Sequence, residues 1–238
     1  MRYLGGKSRI AKQLVNFMSL ERESNMTWVE PFVGSAKVIS LVGGHRIGSD
    51  ANYEMIALFK ALQNGYEPPG EVSEEFYNEV KQNQDQYPDH LKAFLSIGCA
   101  FAGKRWDVYA RDNKDTNYAL VSKNSLNRLR PLIQDVEFLC SDYKSLKVPS
   151  NSLIYCDPPY KGTSGYGFHF DHEEFYQWCR DKVKQGHLVF VSEYQAPDDF
   201  QCVWSKKIFV SVCKDQVSHK EEKLFRVHQP RGFSLRAY

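Results

Sequence analysis

Among six cysteines, at positions 99, 140, 156, 179, 202 and 213, the sequence has no C-x-x-C pair. That absence argues against a structural zinc site and against a disulfide framework. Most of these thiols sit inside apolar runs, where a small buried group fits. No apolar run approaches the length of a membrane span, and the N-terminal MRYLGGKSRIAKQL lacks the apolar core of a signal peptide. A cytoplasmic protein that needs no membrane is therefore expected. There is no internal repeat and no low-complexity segment. Seven histidines cluster only in HFDH (His169, Asp171, His172), which reads as a polar lead into a helix, and no metal is expected.

A large charge of either sign is also missing, since the 238 residues carry a net charge of only +2. The distribution is uneven. Residues 66–89 hold seven acids against Lys81, whereas 103–130 hold seven bases against three acids and 203–238 hold eight bases against three. Two basic segments on a nearly neutral chain point to one face that meets a polyanion, although a charge run is also what a solvated surface looks like.

What is present is an alternation of elements. Helical apolar spacing over 8–18 is followed by a strand at 26–30, a short helix over 35–42, a strand at 45–50 and an amphipathic helix over 53–63. Further strands are predicted at 135–142, 152–157 and 187–193, with a helix over 172–184. KKIFVSV and KLFRVH form a hairpin pair near the end. Such alternation predicts an α/β fold with a mostly parallel sheet covered on both faces. Residues 64–134 break the rhythm with an acidic helical stretch, a helix over 88–100, a basic loop and a helix over 119–131. The expected organisation is a sheet domain of 1–63 and 135–238 with a mainly helical insertion of 64–134, opened by the glycine- and proline-rich NGYEPPGE.

Ligands of open α/β sheets lie beyond the carboxyl ends of the strands. Three predicted strand ends carry informative residues. EPFVGSAKV places Glu30, Pro31, Gly34 and Ser35 in a small-residue turn that lets the backbone approach a nucleotide-like ligand. Asp50 ends the next strand sixteen residues past Gly34, close to the spacing at which an acid reaches ribose hydroxyls. Asp157 ends a later one, in IYCDPPYKG. Each alone is an ordinary turn or a helix cap; all three in chain order favour a nucleoside ligand. A nicotinamide enzyme is disfavoured, because the turn offers Gly34 and Ala36 in place of the glycine-rich fingerprint.

The segments YLGGK, EPFVGSAKV, GSDAN and DPPY, in this order, resemble the Dam-like (class D12, alpha-type) DNA adenine-N6 methyltransferases. The likeness covers roughly 1–60 and 135–238; CAFAGKRWDVYARD and DPPYKGTSGY look like phage-borne members acting in a bacterial host. It implies a Rossmann-like S-adenosyl-methionine-dependent methyltransferase fold with a helical target-recognition insertion. It also implies S-adenosyl-methionine contacts from Tyr3, Lys7, Asp50 and Asp157, with Glu30 and the Phe32–Gly34 turn walling the methionine end and Asp142 near the adenine ring. Asp142 reads equally as a strand-end cap. Ala36 departs from the glycine usual in the family.

The chemistry of the corner points the same way. The N6 amine of adenine is a poor nucleophile because its lone pair is conjugated into the ring. A carboxylate at Asp157 and the carbonyl of Pro158 can each accept one N–H, which aims the lone pair at a sulfonium methyl. Pro158 and Pro159 add no competing donor. Tyr160 offers a face on which an extruded base stacks. The expected partner is double-stranded DNA, held by Lys104, Arg105 and Arg111 interleaved with Trp106 and Tyr109. Lys123, Asn124 and Arg128 are further contacts. The charges of HKEEKLFRVHQ are expected to face solvent. No oligomer is required. An RNA adenine-N6 methyltransferase and a catalytically silent DNA-binding protein remain alternatives.

Overall fold

The computed structural model describes residues 1, 3, 5–161, 170–213 and 216–228, with the backbone alone for 208–220. The GTSGYGFH stretch after the corner, including His169, and the final basic residues lie outside the described residues. Seven strands form a mixed sheet: β1 (Thr27–Glu30), β2 (Arg46–Asp50), β3 (Val136–Cys140), β4 (Ser152–Cys156), β5 (Leu188–Glu193), β6 (Phe200–Cys213) and β7 (Gln216–Val227). Their order is β3-β2-β1-β4-β5-β7-β6. The parallel pairs β2–β3, β1–β4 and β4–β5 give way to antiparallel β5–β7 and β6–β7. This is the doubly wound, Rossmann-like α/β arrangement.

The helices are α1 (Ala11–Ser19), α2 (Tyr53–Gln63), α3 (Glu74–Gln82), α4 (Asp89–Ala93), α5 (Tyr118–Leu129) and α6 (His172–Lys184). Several starts are fixed by side-chain caps: Asn52 accepts from the Met55 amide, Ser73 from Phe76, Asn117 from Leu120 and Asp171 from Glu174. Two expected helices are shorter than their apolar patterns. Over 35–42 only Ile39–Leu41 makes a 3-10 turn, because Gly34 (φ 47°) and Ala36 (φ 56°) are left-handed. The helix expected over 88–100 runs as α4 and then widens into a π-helical turn at Phe94–Gly98. The acidic stretch stays non-helical until Ser73, since Pro68, Pro69 and Gly70 interrupt it.

The chain divides into two compact units. Unit 1 comprises Met1–Val15 and Pro31–Leu146; it holds β2, β3 and α2 to α5, with Met55, Leu58, Phe59 and Phe138 buried. Unit 2 comprises Asn16–Glu30 and Lys147–Tyr238; it holds β1, β4 to β7 and α6 around Trp28, Tyr155, Phe175 and Phe190. No described helix is long and apolar enough to cross a membrane.

Candidate active site

In unit 1, the turn that begins at Pro31 has its backbone tied to the end of β2. The Val33 amide donates to the Ser49 carbonyl at 2.8 Å, and the Gly34 amide donates to Asp50 Oδ2 at 2.9 Å. Asp50 Oδ1 accepts from the Asn52 amide at 2.9 Å. Each carboxylate oxygen therefore holds one backbone donor and keeps a lone pair, which suits a vicinal diol presenting two hydroxyls. Burial raises the Asp50 pKa, while the amides of Asn52 and Gly34 pull it down. Glycine at position 34 is favoured by its left-handed backbone (φ 47°), and the Tyr3 ring lies beside it.

Lys7 is buried, with its ammonium 3.5 Å from the Gly5 carbonyl. The ring of Phe32 packs on Tyr143 at 5.4 Å. Asp142 is exposed, and its carboxylate accepts from the Lys144 amide at 2.9 Å, so its visible task is to cap a turn after β3.

In unit 2, the carboxyl ends of β1 and β4 are adjacent, and between them lies the point at which strand order reverses. Glu30 ends β1, is buried, and accepts the Trp28 indole N–H at 2.8 Å. β4 is buried along its whole length and delivers Asp157 directly after Cys156. The Tyr155 hydroxyl shares a 2.8 Å hydrogen bond with Ser192. Burial first, then the charge of Asp157, push the pKa of Tyr155 well above its ordinary value.

Tyr160 is held at two points. Its hydroxyl donates to Glu222 Oε2 at 2.8 Å, and its ring meets that of Tyr194 edge-on at 4.6 Å. Burial and the nearby carboxylates Asp157 and Glu222 keep this phenol neutral. His172 Nε2 donates to the Pro159 carbonyl at 3.0 Å and lies 3.8 Å from Glu193 Oε2. Glu193, with a side chain only 1% exposed, accepts the amides of Lys161 (3.2 Å) and Tyr194 (2.8 Å). The expectation that the charges of HKEEKLFRVHQ face solvent fails at Glu222, which is 7% exposed, because the antiparallel return of β7 along β5 turns it inward. Glu193, Glu222 and Tyr194 were not singled out by sequence reasoning and no local motif marks them, while His172 was read only as part of a polar lead into a helix.

The basic loop of unit 1 is tied into its own surroundings. Arg105 donates from two nitrogens to Glu54, whose side chain is 1% exposed, and Arg111 pairs with Glu74. Lys104 lies 3.6 Å from Asp107. The ring of Trp106 packs 5.5 Å from Tyr77, and the Tyr109 hydroxyl donates to the Val72 carbonyl at 2.6 Å. On α5, Lys123 reaches Glu67 at 3.9 Å, while Asn124 and Arg128 are exposed.

Sheet order, the glycine turn and the oriented acid at the end of β2 define a Rossmann-like, nucleoside-binding protein. A family model then fixes the kind. Residues 3–117 and 107–226 match the D12 class N6 adenine-specific DNA methyltransferases, and the chain belongs to that family. It is an S-adenosyl-methionine-dependent methyltransferase. No curated protein matches the sequence significantly. Among solved structures, the tRNA (m1A58) methyltransferase TrmI from Aquifex aeolicus is 11% identical, with a TM-score of 0.38 over 91% of this chain and 68% of that one. SMU.472, described as a methyltransferase and complexed with SAH, gives 11% and 0.37 over 95% and 54%. A protein from Haemophilus influenzae described as a methylase gives 11% and 0.35 over 92% and 88%. At that level the likenesses carry no argument about function.

The donor set of unit 1 fits the cofactor. A half-buried carboxylate whose oxygens each hold one backbone donor matches ribose hydroxyls, and the left-handed Gly34 matches close backbone approach. Tyr3, Gly34 and Asp50 are the residues this geometry brings together.

Proposed function

We propose that this protein transfers a methyl group from S-adenosyl-methionine to N6 of an adenine flipped out of double-stranded DNA. The observation that carries the reading is the corner itself. A wholly buried strand ends in Asp157 and Pro158, ahead of a neutral tyrosine fixed by Glu222 and Tyr194. The Asp157 carboxylate and the Pro158 carbonyl accept the two N–H bonds of the amine, which frees its lone pair from the ring. The carboxylate's charge and the carbonyl's dipole stabilise the positive charge that grows on nitrogen as the N–C bond forms and the methyl's bond to sulfur breaks, and the surplus proton then leaves the nitrogen to water. When bound, the cofactor supplies an electrophilic sulfonium methyl, and in-line positioning does much of the rest. The reaction as written needs no covalent intermediate on the protein.

Asp50 and the Gly34 turn hold the cofactor's nucleoside, with Tyr3 and Lys7 beside them and Phe32 toward the methionine end. A base within a duplex cannot reach such a corner, so the target is extruded, and Tyr160 gives it a surface. Residues 64–134 serve target recognition. Exposed Asn124 and Arg128 suit direct contact, whereas Arg105 and Arg111, already paired with acids, set the loop's shape. A cytoplasmic site of action accords with this substrate.

The test is labelled methyl transfer into duplex DNA, followed by nucleoside analysis, with duplex RNA as competitor. N6-methyladenine in DNA is the expected product. Its absence, or preferential methylation of the RNA, sinks the reading. Single-molecule sequencing of DNA from cells that express the chain reports the sequence context.

A further inference from the structure

Of the seven bases in the 103–130 segment, five pair with carboxylates of this chain: Lys104 with Asp107, Arg105 with Glu54, Arg111 with Glu74, and Lys123 and Arg130 with Glu67. Arg128 is different. It projects from α5 into an open cleft of about 410 Å³ that Lys37 also lines, and neither cation pairs with an acid among the described residues. Lys37 comes from the turn that follows β1, so the two cations are supplied by separate elements of unit 1. Burial, and then the charge of Arg128, hold the Lys37 ammonium below its usual range. Two like charges that share a cleft without a counter-charge repel each other, and an anion between them removes that cost.

The rest of the lining narrows the choice of anion. Ser8 and Ser125 bring hydroxyl donors, while Leu41 and Leu132 form an apolar rim, exposed at 46% and 45%. A phosphodiester has two non-bridging oxygens for the two cations and hydroxyls, and a sugar on either side for the leucines. The volume lies within the range of small-ligand clefts, roughly 300–1,000 Å³. We infer that Lys37 and Arg128, with Ser8 and Ser125, form a phosphate-binding cleft that holds one backbone phosphodiester of the DNA substrate. The inference rests on the DNA-methyltransferase reading above. It moves part of the phosphate grip from the loop at 101–111 to a place where the cations are unspent.

The decisive measurement is anisotropy of a labelled DNA duplex across a potassium chloride series, for wild type and for Lys37→Gln/Arg128→Gln. Losing one phosphate contact makes the slope of log K against log salt shallower by about 0.9. A control that removes the same charge elsewhere, Lys12→Gln/Lys60→Gln on exposed helix positions, leaves the slope unchanged. Calorimetry with S-adenosyl-methionine shows that the variant is folded. A slope equal to wild type overturns the inference, and so does a wild type that binds no duplex. A thermal shift titration with inorganic phosphate at constant ionic strength separates the sources. Phosphate protection that the double variant loses, without any change in the DNA slope, assigns the cleft to free phosphate and also overturns it. Methylation assays on wild type run alongside: missing N6-methyladenine sinks the functional reading, whereas the salt slope bears on the cleft alone.

Discussion

The turn at Gly34 and the corner at Asp157 both lie at strand ends, yet they are fixed by different means. Asp50 is oriented by backbone amides sixteen residues before it and two residues after it. Everything it needs lies within one strand–turn–strand passage. The corner is fixed by side chains from afar: His172, thirteen residues from Pro159; Glu193, thirty-two from Lys161; and Glu222, sixty-two from Tyr160. Backbone donors tolerate substitution because every residue but proline supplies one. A brace of buried carboxylates does not, since each loss removes a charge-assisted hydrogen bond from a dry site.

The largest expected effect is at the corner's first residue. Asp157→Ala removes one of the two proposed acceptors for the amine, and methyl incorporation into DNA should fall at least roughly 10²- to 10³-fold, as for loss of a preorganised electrostatic group. Near-normal incorporation would remove the corner from the chemistry. Asp50→Ala should act on the other side of the comparison. Cofactor affinity by calorimetry should weaken roughly 10- to 100-fold, the loss of about 1.5–3 kcal/mol of hydrogen bonding to a charged group. Methyl transfer at saturating cofactor should be largely kept; a fall in kcat with unchanged affinity would reverse the assignment.

Asp50 also carries a pH signature. Its carboxyl pKa is raised in the folded state, so the folded chain binds the proton more tightly. Its contribution to stability is full below the unfolded value of about 3.9 and is lost as pH rises through the folded value. In urea unfolding at a series of pH values, Asp50→Asn should gain on wild type as pH rises. A constant difference would show that the two amides cancel burial, and a loss on wild type as pH rises that they outweigh it.

A smaller effect is expected for Tyr160→Phe, which keeps the ring and deletes the bond to Glu222. Unfolding stability should drop by about 1.5–3 kcal/mol, with kcat falling alongside. Loss of activity at full stability would mean that the hydroxyl serves the reaction and not the brace. The smallest effect is at Ala36, where a left-handed alanine costs about 1–2 kcal/mol and glycine's own flexibility returns part of it. Ala36→Gly should stabilise by up to about 1 kcal/mol in the same assay; destabilisation would show that the turn is not strained.

Much of this was legible in the residues. The helix over 53–63 appears with the bounds its apolar spacing predicts, and the strands at 27–30, 46–50, 152–156 and 188–193 fall within a residue of the expected ones. The Gly34–Asp50 relation was visible as a spacing and is realised as a hydrogen bond. Ala36, noticed as a departure from the family, sits at the positive φ that explains why glycine is usual there. The pairing of charges was not legible. Arg105 and Arg111 looked available for DNA and are paired with Glu54 and Glu74, while Lys37 drew no attention and lies in a cleft with Arg128.

By itself, then, the sequence determined the α/β alternation, the small-residue turn, the acid after β2 and the DPPY corner. These are local patterns, set by periodicity and by residues a few positions apart. Tertiary structure alone decided which charges are spent and which are free, and what holds Tyr160. β7 returns antiparallel to β5 with Lys223 opposite Glu193, and this brings Glu222 inward from a segment whose composition reads as solvent-facing. The meeting of distant side chains depends on strand register and burial, and neither is written in any short stretch of chain.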